Sequence, residues 1–274
     1  VMEDYYTSFP LSESQKANLE SLLSNDTFTI CTAHQPNIFS GYLYFIYKTV
    51  HIIRMADDLK KELPDYHFVP VFYIGSEDND LDELGQINLN GVKLKWETTQ
   101  TGAVGRMKVD RKLISLISDI EVQVGPLAHG QELLTIIRDS YKEGITIAEA
   151  TFRLLNHLFR DYGLLVLQPD HSELKKQMKA VFRDDLFSHT PHELVESNNK
   201  VLGKGYKLQV NPREINLFYL DGDVRERIIG NSQTFSWDNS SGVLTREEIE
   251  AMLESNPEKF SPNVVLRGLY QETI

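Results

Sequence analysis

Hydrophobic and polar positions alternate along this chain in blocks that switch between a period near 3.6 and a period of two or none. Leu19, Leu22 and Leu23 share one face of a short helix predicted over 12–24, and Ser12 with Gln15 has the spacing of a capping box. Thr27 to Ala33 is a β-branched run that reads as a strand and stops at His34-Gln-Pro-Asn37. Ser40 and Gly41 open a strongly apolar helix from Tyr42 to about Leu63, ended by Pro64. Phe68 to Ile74 is continuously apolar, as a strand covered on both faces should be. Strand, helix and strand in that order form a βαβ unit, whose crossover makes the strand pair parallel.

Asn88 to Trp96 predicts a hairpin about Asn90-Gly91, a pair suited to positive φ. Helical patterns follow at about 111–118, 128–142 and 146–161. Gly163 to Gln168 reads as a third buried strand closed by Pro169-Asp170, with a helix over 171–188 after it. Asn211 to Ile229 alternates like a meander turning at Asp221-Gly-Asp223, and the final helix is expected to use Ser261 as N-cap and Pro262 as its first residue. The expected fold class is α/β, with a parallel sheet carrying inserted β and helical pieces. Residues 1–90 are the first βαβ part of the core, 91–145 an inserted hairpin with helices, and 146–190 the return to the core. Residues 191–260 are a second insertion with the meander, and 261–274 start a core helix. That helix is still running at Ile274 with no Gly, Asn or Pro stop signal, so the sequence is expected to be cut there.

Composition narrows the function classes. At 274 residues with 41% hydrophobic and 25% charged, the chain has ample sequence for a core and none of the bias of a disordered chain. No apolar run approaches the ~18 residues of a membrane span, mean hydropathy is −0.32, and Val1 to Pro10 lacks the pattern of a signal peptide. The single cysteine, Cys31, fits a reducing cytoplasm and is expected to be a small buried hydrophobe. Forty acidic against 28 basic residues give a net charge of −12, which disfavours nucleic acid and anionic membrane and suits a small substrate carrying an amine.

Ligand crevices of open α/β sheets lie beyond the carboxyl ends of the strands, and two polar clusters fall there. In the first, Thr32 to Gly41, a loop enters a helix N-terminus and offers N–H groups to a carboxylate or phosphate, with His34 as a proton donor or polarising group. The same residues also read as loop and cap. The second, Ser76 to Glu83, gathers five carboxylates, which invite an amine substrate, an arginine from elsewhere or Mg²⁺. An acidic first turn answering the helix dipole explains two of them, and the spacing matches no specific metal motif. Asn263, Arg267 and Gln271 fall at i, i+4 and i+8, a guanidinium between two amides that suits a carboxylate or phosphate and equally an exposed polar face. P-loop and Gly-x-Gly-x-x-Gly fingerprints are absent, and the histidines show no paired zinc spacing.

Thr32-Ala-His-Gln-Pro-Asn-Ile-Phe-Ser-Gly-Tyr-Leu-Tyr-Phe-Ile-Tyr-Lys48, Pro70 to Asp80, and Phe260 to Arg267 with Gln271-Glu272 together resemble, in order, three conserved blocks of the cysteine-adding enzymes of bacillithiol synthesis (BshC). Gly102-Ala-Val-Gly105 and Asn216-Leu-Phe-Tyr219 agree as well. The resemblance covers the first half or so of such a protein. It implies a Rossmann-like core of the nucleotidylyl transferase and class I synthetase kind, with a C-terminal coiled coil through which the full-length protein forms a homodimer. The implied reaction, in the cytoplasm, is a ligase step joining the carboxyl of cysteine to the amine of an amino-sugar conjugate, glucosaminyl malate. No cofactor is fixed by the motifs; ATP with Mg²⁺ enters by analogy of fold only. Residues and resemblance together assign catalysis to His34, Asp78, Asn79 and Asp80. Substrate binding falls to Gln35, Asn37, Ser40, Gly41, Tyr44, Lys48, Glu77, Asn263, Arg267 and Gln271, with no metal ligands. The chain departs from the family pattern at Ala33, Tyr42 and Gly268, and at Asn79, where the family has His. Asparagine shuttles no proton near neutrality, so two alternatives stand beside the ligase: a nucleotidylyl-transferase-like enzyme on another small amine, and a catalytically impaired binding paralogue.

Overall fold

A computed structural model describes residues 1–7, 9–231, 233–238 and 242–274; Ser8, Ser232 and 239–241, the last four within the expected 191–260 insertion, lie outside it. The chain divides into two compact units, Val1–Gln168 and Pro169–Ile274.

The first unit begins with a short turn of helix, α1 (Met2–Tyr5), and with α2 (Glu13–Ser21), where both halves of the Ser12–Gln15 capping box are formed. β1 (Thr27–His34) leads through a tight loop into α3 (Leu43–Glu62), and α3 into β2 (His67–Ile74). β1 and β2 pair in parallel over their full length, from Thr27↔His67 to His34↔Ile74. A four-residue helix, α4 (Leu81–Leu84), precedes the hairpin of β3 (Gln86–Leu89) and β4 (Val92–Lys95). That hairpin turns at Asn90 and Gly91, with φ of 50° and 82° as a primed turn requires. Next come α5 (Arg111–Val124), α6 (Gly130–Ser140), α7 (Ile147–Phe159) and β5 (Leu165–Leu167).

Among the described residues the parallel sheet has the order β1-β2-β5, so β2 is central, and its Val69 and Val71–Ile74 are buried. Pro70 is tolerated because pairing with β5 starts only at Val71. α3 buries Phe45, Thr49, Ile52, Ile53 and Ala56, one stripe of its surface, and packs on β1 and β2. A second core, built on Trp96, Leu113, Ile117, Leu134, Ile137, Tyr141 and Leu154, joins the inserted helices to α7 and to Ile38 and Phe39.

Polar bonds anchor the amino-terminal segment to the far end of the unit. Gln15 donates to Asn156 Oδ1 and to the Leu164 carbonyl, both at 2.7 Å, and Tyr6 Oη accepts from the Val166 N–H at 2.9 Å. Cys31 is exposed rather than buried. β1 is an edge strand in which Thr32 turns inward, so the period-two alternation turns Cys31 outward.

In the second unit the helix expected over 171–188 is broken at Gln177-Met178 into α8 (Ser172–Lys176) and α9 (Lys179–Phe187), and α10 (Thr190–Leu202) follows. The break adjoins Lys175, which is fully buried and donates to Asp170 Oδ1 at 3.1 Å and to the Glu258 carbonyl at 3.2 Å. The meander comprises β6 (Leu217–Asp221), β7 (Val224–Gly230), β8 (Thr234–Trp237) and β9 (Leu244–Thr245), followed by α11 (Arg246–Ser255). β10 (Phe260–Pro262) and α12 (Val264–Thr273) end the chain, and the antiparallel order is β10-β6-β7-β8-β9. Ser261 and Pro262 therefore belong to a strand, not to a helix start. Both are paired with β6, as Ser261↔Phe218 and Pro262↔Leu217, and the N-cap of α12 is Asn263. Phe182, Leu186, Leu217, Ile228, Phe235, Leu253, Phe260 and Tyr270 make the core of this unit.

Candidate functional site

Because β1 and β2 are parallel and in register, their carboxyl ends stop side by side. The Gly75 N–H donates to the His34 carbonyl at 2.7 Å, and an added Cβ at Gly75 would lie 3.4 Å from that oxygen, so the two exit loops start in close contact. Gln35 Nε2 donates to Asp78 Oδ2 at 3.1 Å, bridging the first loop to the second.

The first loop is contorted. Phe39, Ser40 and Gly41 have φ of 51°, 72° and 58°, a run of left-handed backbone that costs energy at the two non-glycine positions. It is held by the Phe39 N–H, which donates to Tyr141 Oη at 2.7 Å, and by a tilted contact of the two rings with centroids 4.6 Å apart. Burial pushes the Tyr141 hydroxyl far above the usual tyrosine range, so it stays protonated. The fold produced by this loop encloses Asn37, whose side chain is 1% exposed and whose Oδ1 and Nδ2 both lack a partner. Buried amides are nearly always satisfied, so an orphaned donor and acceptor on one side chain mark a place where a ligand would complete the bonding. Gly41 is obligatory beside it, since a Cβ there would come within 2.5 Å of Asn37 Cβ.

His34 sits where β1 ends. Its Nδ1 lies 2.8 Å from the Gln35 carbonyl, which only accepts, so Nδ1 carries the proton. Nε2 then presents its lone pair, 3.2 Å from the Tyr44 hydroxyl, which donates to it. Burial lowers the His34 pKa, keeping the ring neutral at neutral pH. Tyr44 and Lys48, one turn apart on α3, line the same wall; Tyr44 stacks on Tyr42 with centroids 5.8 Å apart, and Lys48 Nζ donates to the Ala33 carbonyl at 2.5 Å. Burial pushes the Lys48 pKa down and the Tyr44 pKa up. α3 opens without a side-chain cap; the Phe45 N–H donates to the Tyr42 carbonyl at 2.9 Å, and the Leu43 and Tyr44 N–H groups lie at the loop.

The acidic cluster separates into distinct roles. Glu77 is buried and Asp78 half-buried at the strand end, while Asn79 is exposed. Asp80 caps α4 by accepting from the Glu83 N–H at 3.2 Å, and Asp82 pairs with Lys95 at 3.2 Å. Cap and surface pair account for two of the five carboxylates and Glu83 is exposed on α4, leaving Glu77 and Asp78 at the end of β2, where Asp78 meets Gln35. Among the described residues no group of three or more His, Cys, Asp and Glu side chains converges as metal ligands do.

A third loop packs on the second; its Gly102-Ala-Val-Gly105 stretch was matched to the family from sequence, but no site residue was assigned to it. Val104 and Gly105 N–H groups donate to the Asp78 and Ser76 carbonyls at 2.7 and 2.9 Å, and a Cβ at Gly105 would strike Ser76 Cβ at 2.4 Å. This seats the turn Val104–Arg106 against the second loop, beside Ser76, whose buried Oγ has no partner. The glycines at 102 and 105 were the available signal. Asn263, Arg267 and Gln271 belong to the second unit. There Asn263 serves as cap, accepting from the Val265 N–H at 2.8 Å and donating to Asn216 Oδ1 at 3.0 Å, so its amide is engaged at the helix start rather than displayed along a stripe with Arg267 and Gln271. Asn216 is in turn held by Asp185, whose two oxygens accept from its N–H at 2.6 Å and its Nδ2 at 3.0 Å. Burial raises Asp185 to about 6.

Comparison with known proteins agrees with this architecture. The family model for "Bacillithiol biosynthesis BshC, N-terminal Rossmann-like domain" matches residues 1–274. A protein of Flavobacterium psychrophilum named "Putative cysteine ligase BshC" is 39% identical over 275 residues, covering 100% of this chain and 51% of the relative. Proteins of the same name from Flavobacterium johnsoniae and Cytophaga hutchinsonii are 37% and 38% identical, over 100% and 98% of this chain and 51% and 50% of their own lengths. The chain spans about half the length of the curated relatives it matches.

Proposed function

The chain belongs to the bacillithiol-biosynthesis BshC family through its N-terminal Rossmann-like domain, and from that premise we propose that its β1–β2 crevice is the acyl-transfer site of a cysteine ligase. The amine of glucosaminyl malate is the nucleophile and an activated carboxyl of cysteine the electrophile. The observation that carries the reading is the buried, unpartnered Asn37 amide beside the Gln35–Asp78 bridge, at the carboxyl ends of two parallel strands.

Amide formation needs an amine freed of its proton, an oriented acyl group and donors on the developing oxyanion. Asp78 and Glu77 attract the substrate ammonium. His34, neutral and with its lone pair on Nε2, takes the proton as Tyr44 swings its donated hydrogen away. The nitrogen then bonds the acyl carbon while the carbon–oxygen bond to the leaving group breaks. Asn37 Nδ2 and the uncapped first turn of α3 supply N–H donors for the acyl oxygen. Asp80 and Asn79 stand at the rim, and Lys48 fixes the end of β1 through the Ala33 carbonyl. Ser40 and Gly41 shape the loop.

Calorimetric titration of the chain with glucosaminyl malate and with cysteine tests this reading. Saturable binding that weakens at least tenfold in Asn37→Ala and in Asp78→Asn is expected. Absence of binding by both compounds, or binding indifferent to both substitutions, would remove the assignment.

A further inference from the structure

The second unit carries a cleft that the candidate site does not use. Arg213 and Glu214, on the segment entering β6, and Arg227 on β7 line a space of about 230 Å³ with Ile215 in its wall. A water occupies ~30 Å³ of liquid, so the cleft has room for several waters or one small ion.

Its arginines are set apart by what they lack. In this acidic chain Arg54, Arg111, Arg138 and Arg183 each pair with a carboxylate, and the Arg225 guanidinium lies 3.9 Å over the Phe218 ring. Among the described residues, the Arg213 and Arg227 side chains have no ion pair, hydrogen bond or ring contact, and Arg227 Nε is buried without a partner. Forty carboxylates make pairing easy to satisfy elsewhere, so two unpaired guanidinium groups on one cleft, one of them with a buried orphan donor, are a cost that an anion would relieve.

The backbone that carries the two arginines is held in place. The Arg213 N–H donates to Asn216 Oδ1 at 3.2 Å and its carbonyl accepts from Asn216 Nδ2 at 2.8 Å, a clamp that Asp185 anchors from below. The backbone of Arg227 is fixed by pairing with Phe218 in the β6–β7 ladder. Guanidinium forks match the planar geometry of carboxylate and phosphate oxygens. We propose that this cleft is a binding site for a small oxyanion, a carboxylate or a phosphate, gripped between Arg213 and Arg227. Glu214, on the same rim and paired with neither arginine, opposes the anion and tunes its affinity. The site rests on residues of the second unit alone and stands or falls independently of the ligase reading.

The test is isothermal titration of the chain in chloride-poor buffer of low ionic strength at pH 7, with inorganic phosphate in one arm and succinate in the other. Saturable binding in at least one arm is expected, weakened at least tenfold in Arg227→Gln and in Arg213→Gln and tightened in Glu214→Gln. The arm that binds identifies the oxyanion class. Arg213 is exposed, so Arg213→Gln keeps its fold and decides the matter should Arg227→Gln fail to fold. No saturable heat in either arm, or affinity unchanged in the arginine variants that fold, overturns the proposal.

Discussion

Gln35 donates its amide hydrogen to Asp78 across 3.1 Å, so the loops leaving two parallel strands are tied by one charge-assisted hydrogen bond. Hydrogen bonds to charged groups contribute about 1.5–3 kcal/mol. Gln35→Ala is expected to cost near the lower end of that range in urea unfolding and, on the proposed function, to weaken glucosaminyl malate binding roughly tenfold, or ~1.4 kcal/mol. Gln35→Glu sets two carboxylates face to face, so its penalty should shrink between pH 7 and pH 5 as one of them takes up a proton. A penalty that does not change with pH would contradict the bridge.

Gly41→Ala and Gly91→Ala separate backbone strain from collision. Both glycines have positive φ, 58° and 82°, but a Cβ at Gly41 meets Asn37 at 2.5 Å while one at Gly91 meets nothing within 4 Å. Chemical denaturation should show a loss of about 1 kcal/mol at Gly91 and more than about 2 kcal/mol at Gly41. Equal losses would mean that Asn37 moves aside freely.

Tyr141→Phe removes the acceptor of the Phe39 N–H and leaves that buried donor unpaired next to strained backbone. We expect about 1–3 kcal/mol of lost stability and faster hydrogen exchange confined to 38–41, with the α5–α6 core unaffected. Uniform exchange changes across the unit would assign the tyrosine to packing alone.

His34 and Asp185 should give opposite pH signatures. His34 is depressed below its unfolded value of 6.5, so the unfolded chain binds more protons. Its contribution is complete above pH 6.5 and is lost as pH falls toward the folded pKa. Asp185 is raised from 3.8 to about 6, so the folded chain binds more protons, and its contribution is complete below 3.8 and lost as pH rises through about 6. Stability profiles of His34→Gln and Asp185→Asn, each subtracted from the parent between pH 4 and pH 8, should therefore slope in opposite directions. Asp185→Asn carries an added loss of about 1–3 kcal/mol at every pH, because an amide cannot accept from both Asn216 donors.

The elements that local chemistry specifies were legible in the sequence. The Ser12–Gln15 capping box, the Asn90-Gly91 turn and the apolar run of β2 each depend on a few neighbouring residues, and each formed as expected. Ser261-Pro262 misled because serine and proline favour a helix start locally, whereas three ladder pairs with β6 hold them in an edge strand, where proline is tolerated. The exposure of Cys31 depends on which strands flank β1, information that lies outside its own neighbourhood. The break at Gln177-Met178 has no glycine or proline to announce it, and its neighbour Lys175 is drawn inward by groups at 170 and 258. At the crevice, loops and residue types could be placed from sequence, but the Gln35–Asp78 bridge, the orphaned Asn37 amide and the third loop at Val104–Arg106 follow only from strand register and long-range packing.

The clasp between the amino-terminal segment and β5 has a consequence for how the chain is born. Gln15 and Tyr6 find their partners at Asn156, Leu164 and Val166, and β2 finds its second neighbour only in β5. At a synthesis rate of ~5–20 residues per second, roughly ten seconds separate the emergence of β1 from that of β5. During that interval the nascent chain holds a two-stranded sheet with one flank of its most hydrophobic strand open. This unit is thus one that completes its sheet late in synthesis, and it would draw on chaperone protection more than a domain whose strands pair with near neighbours in sequence.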